Sequence, residues 1–277
     1  MLSSVLQRLP VKPFMVGYVG LVLLVGVWGT GQVRPLLQAI VILGLYTVAD
    51  ILWTKLRDHQ TYVPLSSVIS GLIGGVVLNP VSPWWVVVAF PLIAVAGKQL
   101  LHVKGKHIFN PVAFGLITLS FLHPAAISWW GVAWWSAIPK TLAVLVGIVI
   151  LMRIRRFHVT LSFLLVYSVG LGLILLRSGS SWGTLSLPFL FDGTLIFFAT
   201  VMLVEPVTTA YRTKRIQVAY GAGVGLLAVF APLIGVPLPD GFLPPLLLGN
   251  LAAALASSRH LRGTPAEIPS EPKAGLP

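Results

Sequence analysis

One apolar run in this chain ends on a carboxylate followed at once by a proline, and few folds tolerate that. The run from Leu195 to Val204 has the length of a buried helix. It meets Glu205-Pro206, passes Thr208 and Thr209, and leaves through Arg212, Lys214 and Arg215. A charge at mid-bilayer costs about 2.5 to 3.5 kcal/mol on insertion scales, and less toward the interface. Pro206 removes a backbone donor and disfavours helical geometry at Glu205, so free carbonyls, hydroxyls and a carboxylate gather at one break. Inside a membrane such a break survives only where protein or water surrounds it.

The same device occurs 126 residues earlier, where Asn79-Pro80-Val81-Ser82 aligns with Glu205-Pro206-Val207-Thr208 and each follows an apolar run. A second match follows each break. Phe109-Asn110-Pro111 with Gly115 answers Phe242-Leu243-Pro244-Pro245 with Gly249. Proline-interrupted short segments at corresponding places in two halves point to an internal duplication with a site at the repeat interface.

Composition sets the medium. Hydrophobic residues make up 56% of the 277 and charged ones 9%, and the mean hydropathy is +0.92, which describes a polytopic all-α membrane protein. About ten spans are expected: Phe14 to Trp28, Val33 to Trp53, Leu65 to Leu78, Trp84 to Leu101, Ile108 to Leu122, Thr141 to Met152, Val159 to Leu176, Pro188 to Val204, Val218 to Leu233 and Phe242 to Ser257. Residues 1–258 form a single transmembrane domain on this reading, with repeat halves at about 14–122 and 141–257 and a disordered cytoplasmic tail at 259–277. Several spans fall short of a hydrocarbon core of about 30 Å, so they should be half-helices or be buried by neighbours.

With the N-terminus and C-terminus both cytoplasmic, every Lys and Arg but Arg34, Lys140 and Arg177 lies on the inner side. That satisfies the positive-inside rule for a bacterial-type inner (plasma) membrane. The net charge of +12 therefore requires no nucleic acid, and no groove-binding element with interleaved aromatics is present. Every Trp except Trp53 is expected in the outer interfacial belt, Trp129 and Trp134 included. The absence of Cys excludes thiolate-held metal, which leaves an organic cofactor or haem as a redox centre. Haem is disfavoured, because the histidines fall in loops or at span ends.

The candidate cofactor or ion-pathway residues are Lys98, Asn110, Asp192, Glu205, Thr208, Thr209 and Asn79. Asn110 and Asn79 are placed as caps at the helix breaks, and Thr208 and Thr209 as caps or site lining. Lys98 is expected at the depth of Glu205, so Glu205 either is clamped by Lys98 or by the basic loop Leu100 to His107, or relays an ion. Asp50 is expected to pair with Lys55 and Arg57 at the interface. No self-contained catalytic site is seen, and no nucleophile elbow or His-Glu-x-x-His pattern occurs.

At KQLLHVKGKHIFNPVAFGL (Lys98 to Leu116) and at DGTLIFFATVMLVEPVTTAYRTKRIQVAYGAGVGLL (Asp192 to Leu227) the chain resembles one family. Its members are the RnfD component of the Rnf electron-transport complex and the NqrB component of the sodium-pumping NADH:quinone oxidoreductase. The likeness continues through SGLIGGVVLNPVSPWWVVV (Ser70 to Val88), FHVTLSFL (Phe157 to Leu164) and PDGFLPPLLLGNLAAAL (Pro239 to Leu255). The resemblance implies two inverted five-helix repeats in a fold akin to urea transporters, and partner subunits in an ion-coupled electron-transfer complex. It also implies a flavin, which many members carry as FMN on a Thr of a Ser-x-Ala-Thr motif in the outer loop between spans five and six. The corresponding loop here, HPAAISWWGVAWWSAIPK, lacks that motif. A non-covalent FMN or riboflavin is then the form to expect. The alternative is a small-solute or ion channel or transporter that keeps the fold without a redox cofactor.

Overall fold

Helix length separates the chain into two classes. The computed structural model describes residues 10–59, 64–103, 106–134, 136–177, 179, 191–208 and 213–259. Ten helices lie among them. The long ones are α1 (Val11–Thr30), α2 (Arg34–Asp58), α6 (Ala137–Ile154), α7 (Phe157–Arg177) and α9 (Lys214–Leu233). The shorter ones are α3 (Leu65–Val77), α4 (Trp84–Leu100), α5 (Pro111–Ser120), α8 (Gly193–Phe197, continued by a π turn over Phe198–Met202) and α10 (Leu243–Arg259). Each answers one of the ten expected spans. Four of them, α1, α2, α6 and α7, are long and apolar enough to cross a membrane. The protein is a largely helical, polytopic membrane protein.

Three of the short helices lie apart from the long apolar ones. No more than 28% of the residues in the four apolar windows are buried within the protein, and Leu21, Leu24, Leu145, Leu161 and Leu165 point outward. By contrast α3 is buried from Gly71 to Val77, α5 along most of its length, and α8 with its π turn from Leu195 to Val204. At 1.5 Å per residue, α3 is about 20 Å long and α5 about 15 Å, too short to cross alone. Their open ends expose carbonyls that lipid cannot satisfy, so α3, α5 and α8 sit inside, while α4 and α10, though short, join the long helices in exposing apolar side chains such as Val88, Leu92, Leu248 and Leu255.

In the first half α2 packs on α3 and α4, α1 on α3, and α4 on α5. In the second half α7 packs on the π turn and on α9, α6 on α8, and α9 on α10. Two pairs join the halves, α1 with α6 and α5 with α10. Close approach also requires small residues where α1 and α8 meet the segment between α5 and α6. A Cβ at Gly193 would lie 1.9 Å from Val132 O, and one at Gly26 would lie 2.7 Å from Gly131 Cα.

The basic loop after α4 is a short hairpin, β1 (His102–Val103) on β2 (Lys106–His107), with His102 opposite His107. The segment after α5 also departs from a plain outer loop. It folds as two 3-10 turns, Pro124–Ala126 and Trp130–Val132, that cover the end of α3. Trp28, Trp84 and Trp85 are exposed as a belt requires, but Trp129 and Trp134 are buried at 6% and 9% exposure. The belt assignment fails for those two because the segment after α5 folds inward, which gives the Trp129 donor a partly buried acceptor and packs the Trp134 ring beside Gly193. Trp129 Nε1 donates to Asp240 Oδ2 at 2.7 Å, and the half-buried Trp130 donates to Gly75 O at 3.0 Å. Trp135, Trp182 and the expected tail beyond Arg259 lie outside the described residues.

Candidate functional site

The two helix breaks are closed by groups that come from elsewhere in the chain. In an α-helix the carbonyl of Met202 would accept from the N–H of residue 206, but Pro206 has none. Asn110 Nδ2 donates to Met202 O at 3.4 Å instead, while its Oδ1 accepts from Ala113 N at 3.1 Å and so caps α5. One buried side chain thus starts a helix in the first half and completes one in the second. At the other break, Val77 O accepts from Ser128 N at 3.0 Å, and Gln38 Nε2 donates to Asn79 O at 3.1 Å.

Glu205 takes the basic-loop partner. Its Oε1 lies 3.1 Å from His107 Nε2, with both side chains mostly buried. Thr208 Oγ1 donates weakly to Glu205 O and Oε2, at 3.4 Å each. Lys98, expected opposite Glu205, turns the other way. Its Nζ lies 2.6 Å from Asp50 Oδ2 and 3.4 Å from Ser67 Oγ. The reason is burial: Asp50 has no exposed surface, and a carboxylate withdrawn that far needs a cation and hydrogen bonds more than the partly exposed Glu205 does. Ser67 Oγ also donates to Asp50 Oδ2, and Gln99 Nε2 donates to Oδ1 at 2.7 Å. Arg57 Nη1 donates to Gln99 Oε1 at 3.0 Å, one step further out. The expected pairing of Asp50 with Lys55 and Arg57 is replaced by this network.

Both networks face one cavity of about 640 Å³ at the basic end of the bundle. Its polar wall carries Lys98, Gln99, His107, Asn110 and Glu205, and its apolar wall Met15, Ile69, Ile73, Val112 and Val201. Lys12, Arg57 and Lys106 add positive charge, and His102 lines the same rim. His102 is held below the usual imidazole range, first by burial and then by Arg57, His107 and Lys98, while a hydrogen bond to the Gln99 backbone carbonyl opposes them. The cavity is a concave, mainly apolar site with a few convergent polar groups, of a size typical for cofactor sites.

Of the residues expected from the sequence, Lys98, Asn110 and Glu205 converge on this cavity and Thr208 stands beside it on Glu205. Asn79 and Asp192 do not. Asn79 Nδ2 donates to Ala125 O at 2.9 Å, and its Oδ1 accepts from Val81 N. Asp192 caps α8 through Leu195 N at 3.1 Å. Thr209 lies outside the described residues. Asp50, Gln99 and His107 were not among the expected cavity residues, although the loop Leu100 to His107 was one of the two clamps expected for Glu205. His107 stands three residues before Asn110 in a loop already read as basic, so adjacency to the Asn-Pro break was the available signal. Asp50 carried one too, as a carboxylate inside an apolar run.

A model of the NQR2, RnfD, RnfE family matches residues 11–139 and 132–259. The RnfD component of the ion-translocating oxidoreductase complex of Shewanella sediminis is 23% identical over 82% of this chain and 83% of its own length. The proteins of the same name from Escherichia coli O1:K1 and from Shigella boydii serotype 18 are each 34% identical, over 37% of this chain and 29% of theirs.

Proposed function

We propose, from the premise that the chain belongs to the NQR2, RnfD, RnfE family, that it is the integral membrane subunit of an ion-translocating electron-transfer complex. It works in a bacterial inner membrane beside other subunits of that complex, and its cavity holds a non-covalent flavin. Three observations support two inverted five-helix repeats as its frame. Packing of α1 on α3, α2 on α3, α2 on α4 and α4 on α5 recurs at an offset of five helices. The pairs α1–α6 and α5–α10 then lie across the pseudo-twofold. The family match also falls in two stretches that meet between α5 and α6. The charge distribution supports placing the basic end in the cytoplasm.

The residues fit a flavin. Met15, Ile69, Ile73, Val112 and Val201 offer an apolar wall that would hold a flavin ring, and Lys98, Gln99 and Asn110 bring polar groups that would hydrogen-bond its heteroatoms. Lys12, Arg57 and Lys106 supply cations for a phosphate, which favours FMN over riboflavin. A bound flavin would supply one- and two-electron transfer. This chain's residues would orient it and hold Glu205 beside His107 as a proton-handling pair. Thr141, the Thr closest to the loop that lacks the attachment motif, donates to Ala137 O within α6. That use of its hydroxyl agrees with non-covalent binding.

The observation that carries the reading is Asn110 on Met202 O beside the Glu205–His107 pair, because it brings the Asn110-Pro111 cap of the first half and the Glu205-Pro206 break of the second to one cavity. The channel reading would need a polar path onward from there. One turn before Met202, Phe198 is fully buried and stacks on Phe242 with centroids 4.9 Å apart, and Phe163 and Tyr167 pack against them. These rings favour the electron-transfer reading.

Purified protein should be yellow, with the visible absorbance of an oxidised flavin that denaturation releases. Glu205→Gln should keep fold and flavin while ion-coupled activity is lost. Colourless protein that conducts a small solute in liposomes would replace this reading with a channel.

A further inference from the structure

We propose that the groove between α7 and α9 binds one phospholipid, with the phosphate on Arg177 and one acyl chain laid along the helices. The groove encloses about 800 Å³. Leu165, Val169 and Leu173 form one wall, and Leu226, Phe230 and Leu233 the other. The two helices touch at its floor, where a Cβ on Gly170 would lie 2.8 Å from Val229 Cγ1. The lining is apolar from end to end until it reaches Arg177, its one charged residue.

The groove's length selects the occupant. From Leu165 to Arg177 the helix rises about 18 Å, close to one leaflet of a hydrocarbon core about 30 Å thick. A partner's transmembrane helix would seek a trough along the whole of α7. This one stops halfway, where Phe163 turns into the core with no exposed surface. A molecule confined to one leaflet, with an apolar chain and an anionic head, fits both ends.

Arg177 closes the 21-residue α7, so it stands at headgroup depth when that helix crosses the bilayer. It makes no hydrogen bond or ion pair among the described residues. Arg34, another of the three cations at that end, is already engaged by Ser82 O at 2.7 Å and by Val81 O. A guanidinium presents paired donors that match a phosphate. A cation at this end also runs against the charge bias of the rest of the chain, and lipid phosphate gives it a partner.

The inference does not depend on the flavin. The test is native mass spectrometry of the full chain in detergent, titrated with phosphatidylglycerol. One lipid per chain should survive, and Arg177→Gln should weaken retention by about tenfold, the loss of one charge-assisted contact. Leu173→Trp, which fills the groove, should abolish retention, whereas Lys140→Gln should leave it unchanged. Arg177 and Leu173 are exposed, so matched melting curves verify the fold of both variants. Equal retention by Arg177→Gln, no retained lipid, or displacement of the lipid by decylubiquinone or by inorganic phosphate would each overturn the proposal.

Discussion

Asn110 and Met202 stand 92 residues apart in sequence and share a buried hydrogen bond, the side-chain amide of one replacing the backbone donor that Pro206 withholds from the other. Asn110→Ala should therefore remove a helix cap and strand a buried carbonyl together. Each loss is on the order of 1 to 2 kcal/mol. Asn110→Asp keeps the cap acceptor but has no amide to donate, so it isolates the second term. Thermal unfolding in detergent should rank wild type above Asn110→Asp and Asn110→Ala. An alanine variant as stable as wild type would break this link between the two halves.

The Lys98–Asp50 pair lies too deep to lose one member cheaply. Lys98→Met leaves a fully buried carboxylate without this cation, a change that costs about 3 to 5 kcal/mol in comparable buried pairs. Asp50→Asn combined with Lys98→Met should recover most of that, because the amide still accepts from Ser67 and removes the charge. A double-mutant cycle on denaturant unfolding measures the coupling. Additive effects would mean that the pair is not a unit.

Glycine is required where backbone meets backbone. Gly193→Ala should prevent folding or expression, since the new methyl would sit 1.9 Å from Val132 O. Gly20→Ala, inside α1 with open space around the same position, should be neutral or stabilising by up to about 1 kcal/mol. Expression and melting of the two variants check this, and normal folding of Gly193→Ala would contradict the packing of α8 on the segment before α6.

Acid should loosen the basic end. His102 has a folded-state pKa below its ordinary value of 6.5, with burial as the first cause and Arg57, His107 and Lys98 next. The folded protein thus favours the neutral ring. The associated stability is present above about pH 6.5 and is lost as pH falls toward and through the lower folded value. His102→Gln should flatten the decline between pH 8 and pH 5 measured by melting temperature. An unchanged slope would assign the acid response to other groups.

Phosphate recognition separates the two flavins. If Lys12, Arg57 and Lys106 meet a phosphate, Arg57→Gln should weaken FMN binding by about tenfold and riboflavin binding much less. Fluorescence titration of flavin-stripped protein measures both, and equal losses would remove the phosphate from the rim.

Hydropathy, proline spacing and charge are local properties, and they were enough for what local physics controls. The Glu205-Pro206 and Asn79-Pro80 breaks, the short α3 and α5, the Asn110 cap and the ten helical segments are all legible in the sequence. A run of apolar residues must become helix in lipid, and a proline must interrupt it. Partner choice was not legible. Lys98 suits Glu205 and Asp50 equally by charge and expected depth, and the decision fell to how α2 packs on α4, which buries Asp50 completely and leaves Glu205 to the hairpin's His107. Trp129 and Trp134 read as belt residues until the turns after α5 fold inward over α3. Contacts between residues tens of positions apart are set by which faces of rigid helices can meet, and that geometry exists only once the tertiary structure has formed.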